Sequence, residues 1–191
     1  MPYYQYSPAD LDKLLASLIV LCDTREQKNH HILKGLICSQ VDYKLRALTA
    51  GDYTALLPAA PQYGIFQPLS FADSILIERK ASLEELSGNL TRGRERFKHE
   101  MDRAKGAEVH LLVEGGSWGK LLEHQYQTQY KPESFYASLL SLQQQYGLHI
   151  AFIEKEYAWS YIYRVLYYHV RRALSRSLPY RQECQTPGRA L

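Results

Sequence analysis

Asp23, Asp52, Glu78 and Lys80 are the residues of this sequence whose types and spacing suit hydrolysis of a phosphate ester. Asp52 follows Gly51, where the backbone can turn sharply. Glu78 closes the apolar run Ser74-Ile-Leu-Ile, and Lys80 stands two residues on. Successive side chains of a strand alternate between faces, so Glu78 and Lys80 point to one side. Two adjacent strands thus deliver two carboxylates and an ammonium to one place. Carboxylates are hard oxygen ligands, suited to Mg²⁺, which keeps several waters and takes few protein ligands. A divalent ion there lowers the pKa of a bound water and screens a phosphate, and a lysine beside it orients that water and shares its charge.

Each residue also has an ordinary use. Asp23 at a strand edge can cap a helix, and Asp52 in Gly-Asp-Tyr can be a turn residue. Glu78 and Lys80 can form an ion pair of little worth. An acid at the end of an apolar strand needs a reason, however, because burying a charge is costly. Glu84 reads as a helix N-terminal acid. His30-His31 reads as helix surface, and His110 as a satisfied core histidine. Glu114 can either face the site or cap a loop.

The elements that must position these residues follow from periodicity and punctuation. Ser7-Pro8 starts a short helix through Leu15. Leu18–Cys22 reads as a buried strand, and residues 25–38 as a helix. Strands are expected at Lys44–Leu48, Tyr53–Leu57 and Ser74–Glu78. Between the last two lies a proline-rich loop (58–73) with a brief strand at Gly64–Phe66. Ser82, with Glu85 three residues on, makes a capping box. A basic helix follows from about Arg94 to Lys105. Val109–Val113 and His149–Ile153 are strands, and residues 132–146 and Trp159–Leu174 are helices. Strands alternating with helices imply an α/β fold with a central sheet. The expected organisation is an N-terminal arm (1–16), one catalytic domain (17–174) and a flexible C-terminal tail (175–191).

Composition sets bounds. The 191 residues suit one domain, and a net charge of +3 neither requires nor excludes nucleic acid. Cys22, Cys38 and Cys184 show no paired spacing, so they read as reduced thiols of a cytoplasmic or nuclear protein rather than a secreted one. The apolar run Leu14–Cys22 is too short to span a bilayer. Arg92, Arg94, Arg96 and Lys98 form a basic patch next to the catalytic strand, fit to neutralise phosphates. The chain has 16 tyrosines, and five of them lie in the segment 157–174: Tyr163 belongs to its apolar stripe, and Tyr157, Tyr161, Tyr167 and Tyr168 make its other faces aromatic. There they exceed what one packed face needs, which points to a dimer or partner surface.

The D…ExK pattern resembles the PD-(D/E)xK nucleases. The longer string, Gly51-Asp52 then Glu78-Arg79-Lys80 with an acid, Glu84, four residues on, resembles the XPF-type (ERCC4 nuclease domain) endonucleases, whose hallmark reads GD…ERKxxxD. Asp23-Thr-Arg-Glu26 and Asn89-Leu-Thr-Arg-Gly-Arg94 are similar to other stretches of that family, and the resemblance runs over roughly residues 18–155. It implies a restriction-endonuclease-like mixed sheet flanked by helices. It implies Mg²⁺ (Mn²⁺ can substitute) on Asp52, Glu78, Asp23 and the carbonyl of Arg79, with Lys80 positioning or activating water. DNA contacts would come from Arg94 first, then Arg92, Arg96, Lys98 and Arg25. Such enzymes cut branched DNA in repair, recombination or replication, typically as dimers. Their C-terminal double helix-hairpin-helix module is not expected, since the residues after Lys155 mostly make one helix. The expected function is therefore a metal-dependent, structure-selective DNA endonuclease. The competing readings are a Holliday-junction resolvase, a recombination exonuclease with the same metal site, and a non-catalytic DNA-binding scaffold.

Overall fold

The computed structural model describes residues 6–175. Its elements, in chain order, are α1 (Pro8–Ala16), β1 (Ile19–Cys22), α2 (His30–Cys38), β2 (Tyr43–Leu45), β3 (Tyr53–Leu57), β4 (Leu69–Ser70), β5 (Ile75–Lys80), α3 (Leu83–Leu90), α4 (Arg94–Arg103), β6 (Glu108–Glu114), α5 (Trp118–Leu122), α6 (Pro132–Tyr146), β7 (His149–Ile153) and α7 (Ala158–Ser175). The strands form one mixed sheet in the order β2-β1-β3-β5-β6-β7, with β4 alongside β3.

Both faces of this sheet are covered, which is why its central strands are apolar on both sides. All six residues of β5 are buried, and so are all five of β3. One face carries α1, α2 and α7 over Tyr53, Ala55, Leu57, Ile75 and Ile77. The other carries α3, α4 and α6 over Leu76, Leu111 and Val113. The alternation along β5 thus sends Ile75, Ile77 and Arg79 towards α2 and α7, and Leu76, Glu78 and Lys80 towards α3 and α4.

Strand direction decides where the chemistry collects. β5, β6 and β7 run parallel, so Lys80, Glu114 and Ile153 lie at one edge of the sheet. β3 is antiparallel to both β1 and β5, pairing Tyr53 with Cys22 and Ile77. Its start, preceded by Asp52, therefore meets the ends of β1 and β5. Asp23, Asp52, Glu78, Lys80 and Glu114 all come to this edge, where open α/β sheets place ligands.

Several boundaries differ from the sequence reading. The helix expected over 25–38 begins only at His30, because the Asp23 carboxylate draws the Arg25 backbone N–H into a turn. The strand expected at Lys44–Leu48 is Tyr43–Leu45; beyond it, the Leu48 N–H turns to Asp23 Oδ2. Around Gly64–Phe66 there is a single Ala60–Ile65 bridge rather than a strand. β5 runs on to Lys80, because its parallel pairing with β6 continues to Val113. α5 was not foreseen: five residues carry too little periodicity. The segment 1–16 contains α1, whose Leu11, Leu14 and Leu15 are buried against the α7 side of the core. Residues 176–191, most of the expected tail, and Cys184 lie outside the described residues.

Gly35 of α2 lies directly against Trp159 of α7. A Cβ there would sit 2.2 Å from Cγ of Trp159 in α7. Gly35→Ala should therefore destabilise the fold by about 1–3 kcal/mol through overpacking, despite alanine's better helix propensity. Urea denaturation read by tryptophan fluorescence checks this; an unchanged or raised midpoint would show that α2 and α7 do not pack this closely.

Candidate active site

Gly51 begins the site. Its φ of +69° suits glycine, and an added Cβ would lie 3.1 Å from Leu76 Cβ. That close approach tucks the following residue against β5. Two backbone bonds fix Asp52: its N–H donates to the Ile77 carbonyl (2.8 Å), and its carbonyl accepts from the Asp23 N–H (2.8 Å). Its carboxylate Oδ2 then accepts the Arg79 N–H at 2.7 Å. Asp52 is thereby anchored beside the strand that carries Glu78 and Lys80.

Glu78 is 2% exposed and Lys80 5%. Lys80 Nζ donates to Glu78 Oε1 at 2.5 Å and lies 5.4 Å from the centre of the Phe97 ring of α4. The other oxygen, Glu78 Oε2, is buried without a hydrogen-bond partner. Burial and the charge of Glu78 raise the pKa of Asp52 well above the usual carboxylate range. Burial also raises Glu78, although Lys80 opposes it. Burial works against the Lys80 ammonium, but Glu78 outweighs it and the pKa rises. Two carboxylates thus share one ammonium in a site short of positive charge. A second cation fits here on the donor chemistry: hard oxygens, one of them orphaned and buried.

The comparisons with known proteins agree with this motif. The ERCC4 domain model matches residues 22–164. The chain belongs to the ERCC4 domain family. This is the family of XPF-type nucleases that the Gly-Asp…Glu-Arg-Lys string resembles. Among solved structures, XPF from Aeropyrum pernix matches with a TM-score of 0.57 and 23% identity, covering 81% of this chain and 66% of that one. The same protein in complex with DNA matches with a TM-score of 0.56, again at 23% identity over 81% and 66%. At that identity the likeness shows the fold, and this chain spans just under two thirds of the solved one. No curated protein matches in sequence.

The other expected residues of the ERCC4 domain divide into groups. Asp23 lies at the same sheet edge, but its carboxylate is already engaged. Oδ1 accepts from Arg25 N and Nε, and Oδ2 from Arg25 Nη2 and Leu48 N, all within 2.8 Å. Burial pushes Asp23 upward, but these bonds outweigh it and hold the pKa below the usual value. Arg79 points away from Glu78, as strand alternation requires. Its Nε and Nη2 each lie 2.7 Å from the Glu114 carboxylate, and Nη1 lies 3.3 Å from Glu26. His31 Nε2 completes this group 2.7 Å from Glu114 Oε1. So Glu114 faces the arginine rather than the acidic pair, and His31 is its partner rather than plain helix surface. Glu84 lies in the first turn of α3 and accepts from Gln127 N.

The basic residues spread over different surfaces. Arg25 and Arg96 line a cleft of about 380 Å³ that opens on Asp52 and Lys80. Arg92 and Arg96 line the shallow depression next to it. Arg94 instead turns to α6, where Nη1 donates to Ser138 Oγ at 3.2 Å, and Lys98 pairs with Glu95 on the helix surface. Arg103, Glu26, Glu85 and Glu100 line the cleft and were not foreseen. Arg96, Glu100 and Arg103 follow the i, i+4, i+7 spacing of one helix face, the signal that would have found them.

The raised pKa of Asp52 gives a testable sign. A group whose folded pKa exceeds its unfolded value adds stability that is complete below the unfolded value and lost as pH rises through the folded one. Without divalent ions, wild-type protein should therefore lose stability as pH rises from the ordinary aspartate range towards neutrality. Asp52→Asn keeps an oxygen for the Arg79 N–H, removes the charge and should be the more stable protein at neutral pH. Urea midpoints in chelator test this; a wild type at least as stable as the asparagine variant would contradict it.

Proposed function

We propose that this chain is a divalent-cation-dependent DNA endonuclease acting near branches or flaps. The observation that carries the reading is the buried, unpartnered Glu78 Oε2 behind Asp52 and Lys80, which line a cleft that also carries Arg25, Arg96 and Arg103. Asp52 and Glu78 would hold the cation, Mg²⁺ or Mn²⁺, with the Arg79 carbonyl as a further hard donor. When bound, that ion supplies Lewis-acid stabilisation of the phosphate and an acidified water.

The remaining work falls to the protein. Lys80 is held charged beside Glu78, which suits donation of a hydrogen bond to the attacking water or to a phosphate oxygen better than removal of a proton. Phe97 walls the ammonium on one side and keeps it pointed into the cleft. Asp23, saturated by Arg25 and Leu48, fixes the turn after β1 that Asp52 leans on through its carbonyl; in this reading it positions Asp52, and any hold on the ion is less direct. Arg25, Arg92, Arg96 and Arg103 line the path a phosphate backbone would take, while Arg94 and Lys98 are further from it. The solved XPF from Aeropyrum pernix has been seen in complex with DNA, which supports DNA as the partner here. A homodimer through residues 157–174 belongs to the same proposal. The inward stripe Ile162, Leu166 and Val170 of α7 is spent on the chain's own core, leaving Tyr157 and Tyr168 for a partner. Among the described residues no helix is long and apolar enough to cross a membrane.

Incubation of labelled duplex, 3′-flap, fork and four-way-junction DNA with Mg²⁺ or Mn²⁺ tests the reading. Wild type should cut branched DNA. Asp52→Ala should abolish cutting, and Lys80→Ala should slow it by about 10²-fold or more. Well-folded wild type that binds but never cuts would favour the non-catalytic scaffold.

Arg96→Ala and Arg103→Ala should weaken binding to all sequences alike. Each should reduce the slope of log K against log salt by about 0.9 for duplex DNA. Slopes unchanged in both variants would remove the cleft as the DNA path.

A further inference from the structure

At the opposite edge of the sheet a second group of ligand-type residues gathers, unconnected with the cleft. Glu108 and His110 stand two apart on β6 and so share a face. His149 of β7 is the register partner of His110. Their rings stack with centres 4.7 Å apart and planes 19° apart. Glu108 Oε1 lies 3.0 Å from His110 Nε2 and 3.9 Å from His149 Nε2, and one ligand atom from each residue falls within 4.8 Å of the others. A tetrahedral ion with bonds of about 2.0–2.1 Å needs donors roughly 3.3 Å apart.

We propose that Glu108, His110 and His149 form a second metal site, selective for a borderline transition ion of the Zn²⁺ class. Two imidazoles and one carboxylate suit Zn²⁺, whereas the all-oxygen pair Asp52 and Glu78 suits Mg²⁺. The surroundings have the form of an outer ligand shell. His110 Nδ1 lies 3.0 Å from the Tyr161 hydroxyl, an arrangement that orients the ring and leaves Nε2 facing Glu108. The second oxygen of Glu108 is held by His169 Nδ1 of α7 at 3.2 Å, and His169 Nε2 lies 3.3 Å from Ser74 Oγ. A cavity of about 450 Å³ lined by Glu108, His110, Tyr161 and His169 opens on the cluster. It gives the ion a route in and a water its fourth position. Arg172 Nη2, 3.8 Å from Glu108 Oε2, is the competing cation; its side chain is 59% exposed, so it can swing into solvent. Arg164 lines the outer cavity. With the ion bound, β6 and β7 are tied directly and α7 through His169, so the site clamps the end of the sheet remote from the cleft.

The test uses the full chain, stripped by chelator and titrated with Zn²⁺ against a chromophoric competitor in excess Mg²⁺. Wild type and Asp52→Ala should each take one equivalent of Zn²⁺. His149→Ala and Glu108→Gln should bind at least about tenfold more weakly. His149 is 57% exposed, so its alanine variant keeps the core, and circular dichroism verifies the fold. Co²⁺ in place of Zn²⁺ should give visible absorption bands that disappear in His149→Ala. Zinc uptake that is absent in wild type, as tight in both ligand variants as in wild type, or lost in Asp52→Ala would overturn the proposal.

Discussion

Asp52, half-buried, and Glu78, buried, are two carboxylates held together against their own repulsion, and much of the fold serves to hold them. The turn at Gly51 brings Asp52 against β5, the antiparallel register of β3 fixes it there, and the Arg79 N–H grips its carboxylate. Left alone, such a pair takes up a proton, which is the sense of the raised pKa values. Lys80 offsets only part of the charge, through one oxygen of Glu78. In the function proposed here, a small hard cation completes the charge of this site.

The tripeptide Glu78-Arg79-Lys80 serves both faces of the sheet. Glu78 and Lys80 point to the side under α4, where Lys80 lines the cleft, while Arg79 points the other way and meets Glu114 and Glu26, with His31 as a further partner of Glu114. Burial pushes Glu114 upward, but bonds from Arg79 and His31 outweigh it and keep it ionised. Breaking such a buried pair from one side leaves an uncompensated charge, which typically costs about 3–5 kcal/mol. The arginine therefore stiffens the strand end from behind while its backbone N–H holds Asp52 in front. The acidic surplus stays on the face that opens to the cleft.

The motif string and the central strands β1, β3, β5, β6 and β7 were legible in the sequence because they depend on local signals. A glycine before an acid, an apolar run ending in Glu-x-Lys and period-two alternation need no tertiary knowledge. What escaped the sequence depends on contacts far along the chain. Arg94 sits in the basic stretch with Arg92 and Arg96, yet helix geometry turns it to Ser138, and only the packing of α6 decides that. Asp23 reads as a strand-end acid free to hold a metal or cap a helix, but Leu48 reaches back to it from 25 residues on. His110 looks like a core histidine in an apolar strand, and only the register of β7 and the return of α7 surround it with His149 and Tyr161. The start of α2 was misplaced for a related reason: hydrogen bonding to the Asp23 carboxylate overrides apolar periodicity after β1.

The most direct test of the cleft as a cation site is anomalous diffraction from crystals soaked in Mn²⁺. A single strong peak between the carboxylates of Asp52 and Glu78, with Lys80 Nζ displaced from its hold on Glu78 Oε1 or sharing it, is the expected result. A site with no peak at saturating Mn²⁺, and with Lys80 still the sole partner of Glu78, would contradict it and leave the acidic pair without the role proposed here.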